Sequence, residues 1–199
     1  MAALMRLGRA PYAEVLALQE RLLAERIAGE RPDTVIVVEH DPVYTVGRRR
    51  GAEANLLDVG DTPVVAVSRG GDVTWHGPGQ VVAYPIVRMP DGDLHAHMRR
   101  LEAVMVAACA AFGLHAGPDP RNTGTWVDGR KVGSVGIASR SQVAWHGMAL
   151  NVDPDLRAFA RVNPCGFPSA IMTSMTVERG APVSLHAVMD VVAEQFSAW

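Results

Sequence analysis

Cysteine is scarce in this sequence, with Cys109 and Cys165 the two examples among 199 residues. Two cysteines in a chain of this length do not make a disulfide framework, which excludes a small disulfide-rich scaffold and favours a reducing compartment. Excess charge of one sign is also lacking, because the net charge is −2 with 20% charged residues. Because positive and negative charges nearly cancel, there is no reason to expect nucleic acid or an anionic membrane as a partner, and we expect neither.

Long apolar runs are missing as well. No run approaches the length of a membrane span, and the opening MAALMRLGRAPY has neither a long apolar region nor a small-residue cleavage site. These absences predict a cytoplasmic protein. Repeats and low-complexity linkers are absent from the sequence too, so with 48% apolar residues we expect one domain over residues 1–199.

Hydrophobic periodicity predicts helices at the start, middle and end of the chain, with strands between them. Apolar residues recur at helical spacing over residues 11–30, 94–112 and 183–196. Short β-branched runs predict strands over residues 34–38, 64–67 and 81–87. The run 43–46 is expected to continue or pair with the first of these strands. Pro85 suggests that the last one lies at a sheet edge or carries a bulge.

Asp128-Gly129 is a strong hairpin signal, since both residues tolerate the positive φ of a type I′ turn. The turn places Lys131 on the strand that follows, and the pattern from Lys131 to Val152 predicts an antiparallel meander. Gly133 and Gly136 are costly inside a strand. We therefore expect another part of the chain to pack against the backbone at these two glycines.

The stretch RGGDVTWHGPGQ at residues 69–80 is dense in glycine and proline. Glycines let backbone N–H groups approach a ligand closely. A plain surface turn does not need Trp75 and His76 between its glycines. We interpret the stretch as a ligand-binding loop.

Cys165 lies in a turn-like context, NPCG at residues 163–166, in a run without helical or strand periodicity. A thiol presented on a loop is easier to reach than one in a core. Cys109 falls on the apolar stripe of the middle helix, where an unpaired cysteine behaves as a small hydrophobic residue. We therefore expect Cys165 to be the reactive thiol and Cys109 to be part of the core.

A reactive thiol needs a neighbouring group that stabilises its thiolate. Free cysteine has a pKa near ~8.5 and lysine near ~10.4, but together in a partly apolar cleft they form a thiolate–ammonium pair. Lys131 is a candidate because its strand carries glycines that imply a close neighbour, although a surface hairpin lysine is an equally good interpretation. A Cys–His pair with His76 or His146 is the competing arrangement.

Three histidines near the middle helix do not predict a metal site. His95 and His97 are two residues apart at the helix start, where side chains point to different faces, and no carboxylate or thiol completes a set with His115.

Three motifs together resemble one family: RGGDVTWHGPGQ at 69–80, GRKVGSVGIA at 129–138 with WHGMALNV at 145–152, and NPCG at 163–166. They are similar to motifs of the lipoyl(octanoyl) transferases, which are octanoyl-[acyl-carrier-protein]:protein octanoyltransferases of lipoate biosynthesis. EHDPVYTVGR at 39–48 resembles that family's preceding segment, whereas Trp75 stands where the family usually has Tyr or Phe. The resemblance implies an α+β fold, a mixed β-sheet core with flanking helices, as in the catalytic domains of biotin and lipoate protein ligases.

The resemblance also implies a mechanism in which Cys165 is the acyl-accepting nucleophile and Lys131 lowers its pKa and acts as acid and base. An octanoyl group would pass from octanoyl-acyl carrier protein to Cys165. It would then pass to a specific lysine of apo lipoyl domains of 2-oxoacid dehydrogenase complexes and of the glycine cleavage H protein, without ATP, another cofactor or a metal. The implied substrate-binding residues are Arg69, Gly70, Gly71, Asp72, Val73, Thr74, Trp75, His76, Ser134, Val135, Gly136, Gly147, Met148 and Ala149.

Three alternatives remain at this point: an ATP-dependent lipoate or biotin protein ligase, a Cys–His hydrolase with His76 as base, and a non-catalytic module that holds a carrier protein or an acyl chain. The three adjacent arginines, Arg48 to Arg50, are either a solvated loop or a docking patch for an acidic carrier or lipoyl domain.

Overall fold

The computed structural model of the protein describes residues 1–163, 169–197 and 199. The strands in these ranges are β1 (Ala3–Ala10), β2 (Thr34–His40), β3 (Val43–Val46), β4 (Val64–Ala66), β5 (Val73–His76), β6 (Gln80–Arg88), β7 (Gly117–Asp119), β8 (Asn122–Val127), β9 (Arg130–Arg140) and β10 (Val143–Asn151). The α-helices are α1 (Tyr12–Ala28), α2 (Leu94–Ala111), α3 (Met175–Arg179) and α4 (Leu185–Phe196). Short 3-10 helices span Ala52–Asn55, Leu156–Arg161 and Ser169–Ile171.

Seven strands form one mixed sheet in the order β1-β2-β6-β10-β9-β8-β7. β1 and β2 are parallel, as expected for strands joined through a crossover helix, and the remaining neighbours are antiparallel. The helices cover both faces of this sheet: α1 packs on one face, and α2 and α4 pack together on the other. This is the predicted α+β fold with a mixed sheet core and flanking helices.

The three predicted helices are confirmed, with ends that the sequence explains. α1 ends at Gly29, whose φ of 82° is the left-handed conformation that glycine adopts at helix ends. α2 begins after Asp93, whose side chain accepts a hydrogen bond from the Ala96 N–H at 2.8 Å. Among the described residues, no helix combines the length and the apolar character needed to cross a membrane.

A second, three-stranded sheet has the order β4-β3-β5. The expectation that 43–46 continues or pairs with β2 is therefore wrong, because β3 runs parallel to β4 and antiparallel to β5. Aromatic and aliphatic side chains from this sheet and the flanking 3-10 helices form a separate core cluster, which includes Tyr44, Trp75 and Phe159. A short buried run shows that a strand exists, but not which partner it has.

The edge interpretation of Pro85 is wrong, since β6 lies between β2 and β10 in the middle of the sheet. Proline has no N–H to give to a ladder. The register of β6 with β10 runs from Val87 opposite Ala144 to Ala83 opposite Met148, and the three β10 residues between these pairs form no ladder pair with β6. The irregularity falls on β10, where His146 has a positive φ of 57°.

The predicted hairpin and meander are confirmed. Asp128 and Gly129 have φ values of 46° and 76°, as a type I′ turn requires, and β8, β9 and β10 are antiparallel neighbours. The two strand glycines lie against neighbours as expected: a Cβ on Gly133 would lie 2.5 Å from the Met105 sulfur, and one on Gly136 would lie 2.8 Å from Arg69 Cδ.

Candidate functional site

A cavity of about 260 Å³ lies against the central strands β6, β10 and β9. Its floor is made of small residues, because Gly136 faces Gly147 and Ser134 faces Ala149 across the β9–β10 ladder. The segment 69–76 forms another wall. A concave, largely apolar space with a few polar groups is the usual form of a small-molecule site.

The predicted substrate-binding residues lie together around this cavity, with the exception of Trp75. Residues 73–76 form β5 rather than a continuous loop, so their side chains alternate between two faces. Thr74 and His76 line the cavity, whereas the buried Trp75 ring packs edge-on against Phe159 in the core of the small sheet. The cavity thus has no tryptophan wall at this position.

Further residues line the cavity that sequence reasoning had not assigned to substrate binding. They come from parts of the chain that only the fold brings together: Tyr12, Val82, Tyr84, Met98, Asn122, Thr123, Ile137, His146, Ile171 and Met172. His146 had been considered as a base and Ile137 lies in the motif at 129–138, but the others carry no motif. A cavity wall contributed by single residues of separate strands and helices leaves no local signal in the sequence.

Lys131 lies at the cavity wall and is 6% exposed. Its Nζ donates to the Asn122 side-chain oxygen and, at 2.9 Å, to the Thr123 carbonyl. The interpretation of Lys131 as a solvent-facing hairpin lysine is therefore wrong. Lys131 is also the single lysine of the chain, all other basic side chains apart from histidine being arginine. This count is a strong signal in the sequence for a site that requires an amine.

His76 belongs to a buried hydrogen-bond relay whose direction is fixed at its far end. The Thr173 carbonyl can only accept, so the Asn151 amide nitrogen donates to it at 3.0 Å. The Asn151 oxygen then accepts from the Gln80 amide nitrogen at 2.9 Å, and the Gln80 oxygen accepts from His76 Nδ1 at 2.7 Å. His76 therefore carries its proton on Nδ1, which leaves Nε2 as an acceptor.

The histidines of the site are poor bases. Burial, reinforced by neighbouring His40, lowers the pKa of His76 to about 3. Burial and the Arg69 guanidinium lower the pKa of His146 to about 4, and its Nε2 lies 3.0 Å from the Ser68 hydroxyl. A group that stays neutral until such low pH does not take a thiol proton efficiently near neutrality. The burial of these two histidines therefore disfavours the Cys–His alternative.

Asp72 connects the cavity wall, through Asn55, to the segment that precedes Cys165. Its buried carboxylate accepts two hydrogen bonds from the Asn55 amide, at 2.9 and 2.8 Å, and pairs with Arg49 at 3.2 Å. The Asn55 carbonyl in turn accepts from the Asn163 N–H at 2.9 Å. One asparagine thus holds both the wall and the chain two residues before Cys165.

Cys165 itself lies outside the described residues, within 164–168. The described chain on the far side of this gap returns to the site: Thr173 N–H donates to the Lys131 carbonyl at 3.0 Å, and Met172 forms a parallel bridge with Lys131. Both flanks of the NPCG segment are therefore attached to residues around the cavity.

Cys109 lies away from the cavity, as predicted for a core residue. It is fully buried in the cluster between the sheet and the helices α2 and α4, and burial raises the pKa of its thiol to about 12. Within the ranges that the structure describes, no three histidine, cysteine or carboxylate side chains are grouped so that they could hold a metal ion.

Comparison with known proteins gives a consistent assignment. The sequence model of the family "Lipoyl protein ligase A/B catalytic domain" matches residues 11–197. A protein named octanoyltransferase from Geobacter metallireducens is 44% identical over 192 residues, covering 96% of this chain and 89% of the relative. An octanoyltransferase from Acidothermus cellulolyticus is 42% identical over 196 residues, covering 96% and 88%.

Solved structures show the same fold at low sequence identity. A lipoate-protein ligase A bound with ATP has a TM-score of 0.83 at 18% identity, covering 99% of this chain and 84% of that one. A bipartite lipoate protein ligase from Thermoplasma acidophilum, described with its E2 lipoyl domain, has a TM-score of 0.77 at 18% identity, covering 100% and 83%. An apo biotin protein ligase from Aquifex aeolicus has a TM-score of 0.54 at 14% identity, covering 100% and 69%. The chain therefore belongs to the octanoyltransferases, which are acyltransferases, and to the lipoyl protein ligase A/B catalytic domain family.

Proposed function

We propose that this octanoyltransferase moves an octanoyl group from octanoyl-acyl carrier protein to Cys165, and then to a specific lysine of apo lipoyl domains. The acceptors would be the lipoyl domains of 2-oxoacid dehydrogenase complexes and the glycine cleavage H protein. Identity of 42–44% to proteins named octanoyltransferase supports the acyl group. The likeness in fold to a ligase described with its E2 lipoyl domain supports the class of acceptor.

The observation that carries this proposal is the position of the chain's one lysine at the wall of the cavity. Val135 and Met148 give the cavity an apolar side suited to an acyl chain, and the glycines at 71, 136 and 147 expose backbone to it, whereas the Gly70 N–H already donates to the Ile137 carbonyl at 2.8 Å. Backbone N–H groups that are not screened by side chains are suitable donors for a thioester oxyanion. Catalysis then needs one nucleophile near Lys131, and Cys165 is the candidate.

In the first half-reaction, the Cys165 thiolate attacks the carbonyl carbon of the carrier thioester. The new C–S bond forms, the tetrahedral oxyanion collapses, and the carrier's pantetheine thiolate leaves. That thiolate takes a proton from the Lys131 ammonium, so the products are the octanoyl-Cys165 thioester, the carrier thiol and a neutral Lys131 amine. The donor is already an activated thioester, so the step needs no ATP.

In the second half-reaction, the neutral amine of the acceptor lysine attacks the octanoyl-Cys165 carbonyl. The C–N bond forms, the Cys165 thiolate leaves, and the proton lost by the acceptor nitrogen goes to Lys131. The thiolate–ammonium pair is thus restored, and the stability of the amide makes this step favourable. Each proton that Lys131 gives in the first half-reaction is returned in the second.

Intact-mass spectrometry after mixing the protein with octanoyl-acyl carrier protein tests the proposal directly. We expect one octanoyl mass on the native chain, none on Cys165→Ser, strongly slowed acylation of Lys131→Met, and loss of the added mass when an apo lipoyl domain is supplied. A chain that binds the carrier without gaining mass would instead be a non-catalytic binding module.

The ligase alternative is favoured by the fold likeness alone and is tested separately. The protein is incubated with octanoate, ATP and an apo lipoyl domain, without the acyl carrier donor. An octanoyltransferase makes no octanoylated domain under these conditions, and formation of that product would contradict the proposal.

A further inference from the structure

The side chain of Lys131 is held by acceptors on the neighbouring strand. Nζ donates to the Asn122 oxygen and to the Thr123 carbonyl. It also lies 5.6 Å from the centroid of the Trp126 ring, within the range of a cation–π contact. Carbonyl oxygens and the face of an aromatic ring both favour a charged amine over a neutral one.

The backbone of β8 leaves room for this arrangement. Gly124 has a φ of 141°, which favours glycine, and a Cβ at this position would lie 2.7 Å from Lys131 Cε and 2.3 Å from the Gly133 oxygen. The β8–β9 register also slips by one residue beside Trp126, which pairs with Lys131. Such irregularities change the direction in which side chains project from a sheet.

We propose that Asn122 is a positioning residue that, with the Thr123 carbonyl, keeps Lys131 in one orientation in both of its protonation states. The inference rests on the proposed function for what the lysine then does. An ammonium has three N–H donors, and the two acceptors take two of them. The third proton is the one that the leaving thiolate removes.

After that transfer, the neutral amine still has two N–H donors for the same two acceptors. Its lone pair then points where the third proton had been, which is the direction from which the acceptor lysine's proton must return. A lysine without these anchors would have to find this orientation again in each half-reaction. Asn122 therefore contributes to both half-reactions by reducing the orientations available to one amine.

The single lysine makes this inference measurable without reference to Cys165. Protein grown with lysine labelled at Cε and Nζ contains one labelled residue, so the Cε chemical shift followed against pH reports Lys131 alone. We expect Asn122→Leu to lower the lysine pKa, since an acceptor for the charged form is lost. Asn122→Asp should raise it, because the acceptor becomes an anion. Shifts of about one pH unit correspond to a hydrogen bond to a charged group.

Kinetics then separate orientation from substrate binding. Asn122→Leu should lower kcat about tenfold, with KM for the donor nearly unchanged. In a Lys131→Met background the same substitution should have no further effect, because the residue that it positions is gone. Gln195→Leu removes an exposed amide on α4 and serves as the matched control, with no change expected in either measurement.

Three results would overturn the inference. The first is a lysine titration that is the same in both Asn122 variants and the native chain. The second is a shift of the same sign in the Leu and Asp variants, which would indicate a general loosening of the hairpin. A drop in kcat/KM caused by KM alone would also reject it. Absence of octanoyl-Cys165 would reject the proposed function instead. The intact-mass experiment described above would detect that absence.

Discussion

At the scale of single residues, the polar groups of the site differ in whether they exchange protons. Lys131 exchanges protons in the proposed reaction, whereas His76 is held neutral with Nε2 as an acceptor. The relay from the Thr173 carbonyl through Asn151 and Gln80 decides the tautomer of His76, because each amide in it can be oriented in one way only. Burial, rather than the relay, lowers the pKa of His76 and makes it a poor base.

Replacing Gln80 by Glu tests this relay. The carboxylate would accept from His76 and favour its charged form, so the pKa of His76 should rise from about 3 towards neutrality. Asn151 would lose its donor, and we expect a loss of about 1–3 kcal/mol in the free energy of unfolding. NMR of the labelled imidazole measures the pKa, and urea unfolding measures the stability.

Gln80→Leu is the matched control for this prediction. It breaks the same hydrogen bonds but adds no charge, so the pKa of His76 should stay low while stability falls. Equal His76 titrations in the Glu and Leu variants would contradict the relay as described.

The residues of the site could be predicted from sequence where they stand in motifs or are unusual in composition. Lys131 is both, and the close contact at Gly136 follows from the cost of glycine in a strand. Asn122 could not be predicted, because its contact with Lys131 depends on a one-residue slip of register between β8 and β9. Trp75 was expected at the cavity because residues 73–76 were interpreted as loop, and the alternation of β5 turns it away.

At the scale of secondary-structure elements, the cavity floor depends on two glycines that face each other, Gly136 on β9 and Gly147 on β10. Their neighbours differ in rigidity. A Cβ on Gly147 would lie 2.1 Å from the Ala83 carbonyl oxygen, which belongs to the β6 backbone. A Cβ on Gly136 would lie 2.8 Å from Cδ of the Arg69 side chain, whose guanidinium donates to the Thr45 carbonyl and hydroxyl.

The same substitution at these two glycines should therefore have different results. Gly147→Ala should destabilise the fold by about 1–3 kcal/mol or more, since a backbone carbonyl must shift. Gly136→Ala should destabilise less, since a side chain rather than the backbone must shift, but it should reduce kcat/KM because Arg69 is displaced at the cavity wall. Thermal unfolding and steady-state kinetics on both variants check this. Equal losses of stability would contradict it.

The elements themselves were largely predictable, whereas their pairing was less so. Helices with caps at Gly29 and Asp93, and the Asp128-Gly129 hairpin, carry their signals locally. The assignment of β3 to the small sheet and the central place of β6 are decided by contacts between distant segments. A proline in the middle of a sheet is tolerated here because β10 is irregular opposite it.

At the scale of the whole molecule, four histidines are buried in the neutral form. Burial lowers the pKa of His40, His97 and His146 to about 4 and that of His76 to about 3. In the unfolded chain each has a pKa near ~6.5. Below that pH the unfolded state binds more protons than the folded state, so folding is weakened as the pH falls.

We therefore expect the free energy of unfolding to decrease as the pH is lowered from about 6.5 to about 4. Each such histidine contributes on the order of 1.4 kcal/mol per pH unit in this window. Urea unfolding at several pH values measures the slope. His97→Leu should reduce the slope, and the exposed His95→Leu on the same helix should not. A stability that is constant or rises on acidification would contradict the prediction.

The arginine turn lies next to the cavity wall. Arg48 N–H donates to the Arg69 carbonyl at 3.0 Å and Arg49 N–H to the Gly71 carbonyl at 3.0 Å, while the side chains of Arg48 to Arg50 are exposed. Arg49 is held by Asp72. The other two arginines thus lie beside the cavity wall, where in the proposed function an acidic partner protein would deliver or receive the acyl group.

We expect Arg48→Ala with Arg50→Ala to lower kcat/KM for the carrier donor severalfold at low ionic strength and to flatten its dependence on salt. An octanoyl thioester of a small neutral thiol should be affected much less. Arg21→Ala, on the exposed side of α1, is the matched control and should keep the native salt slope. An unchanged slope in the double variant would show that the turn is only a solvated loop.

The hairpin that holds Lys131 has a consequence for the order in which the protein folds. Asn122 and Lys131 are nine residues apart, whereas Gln80 and Asn151 in the relay are separated by 71. Contacts between near neighbours in the chain close with a smaller loss of entropy and so form earlier. The lysine is therefore expected to reach its anchors while the central strands are still unpaired, so that the cavity closes around an amine already oriented.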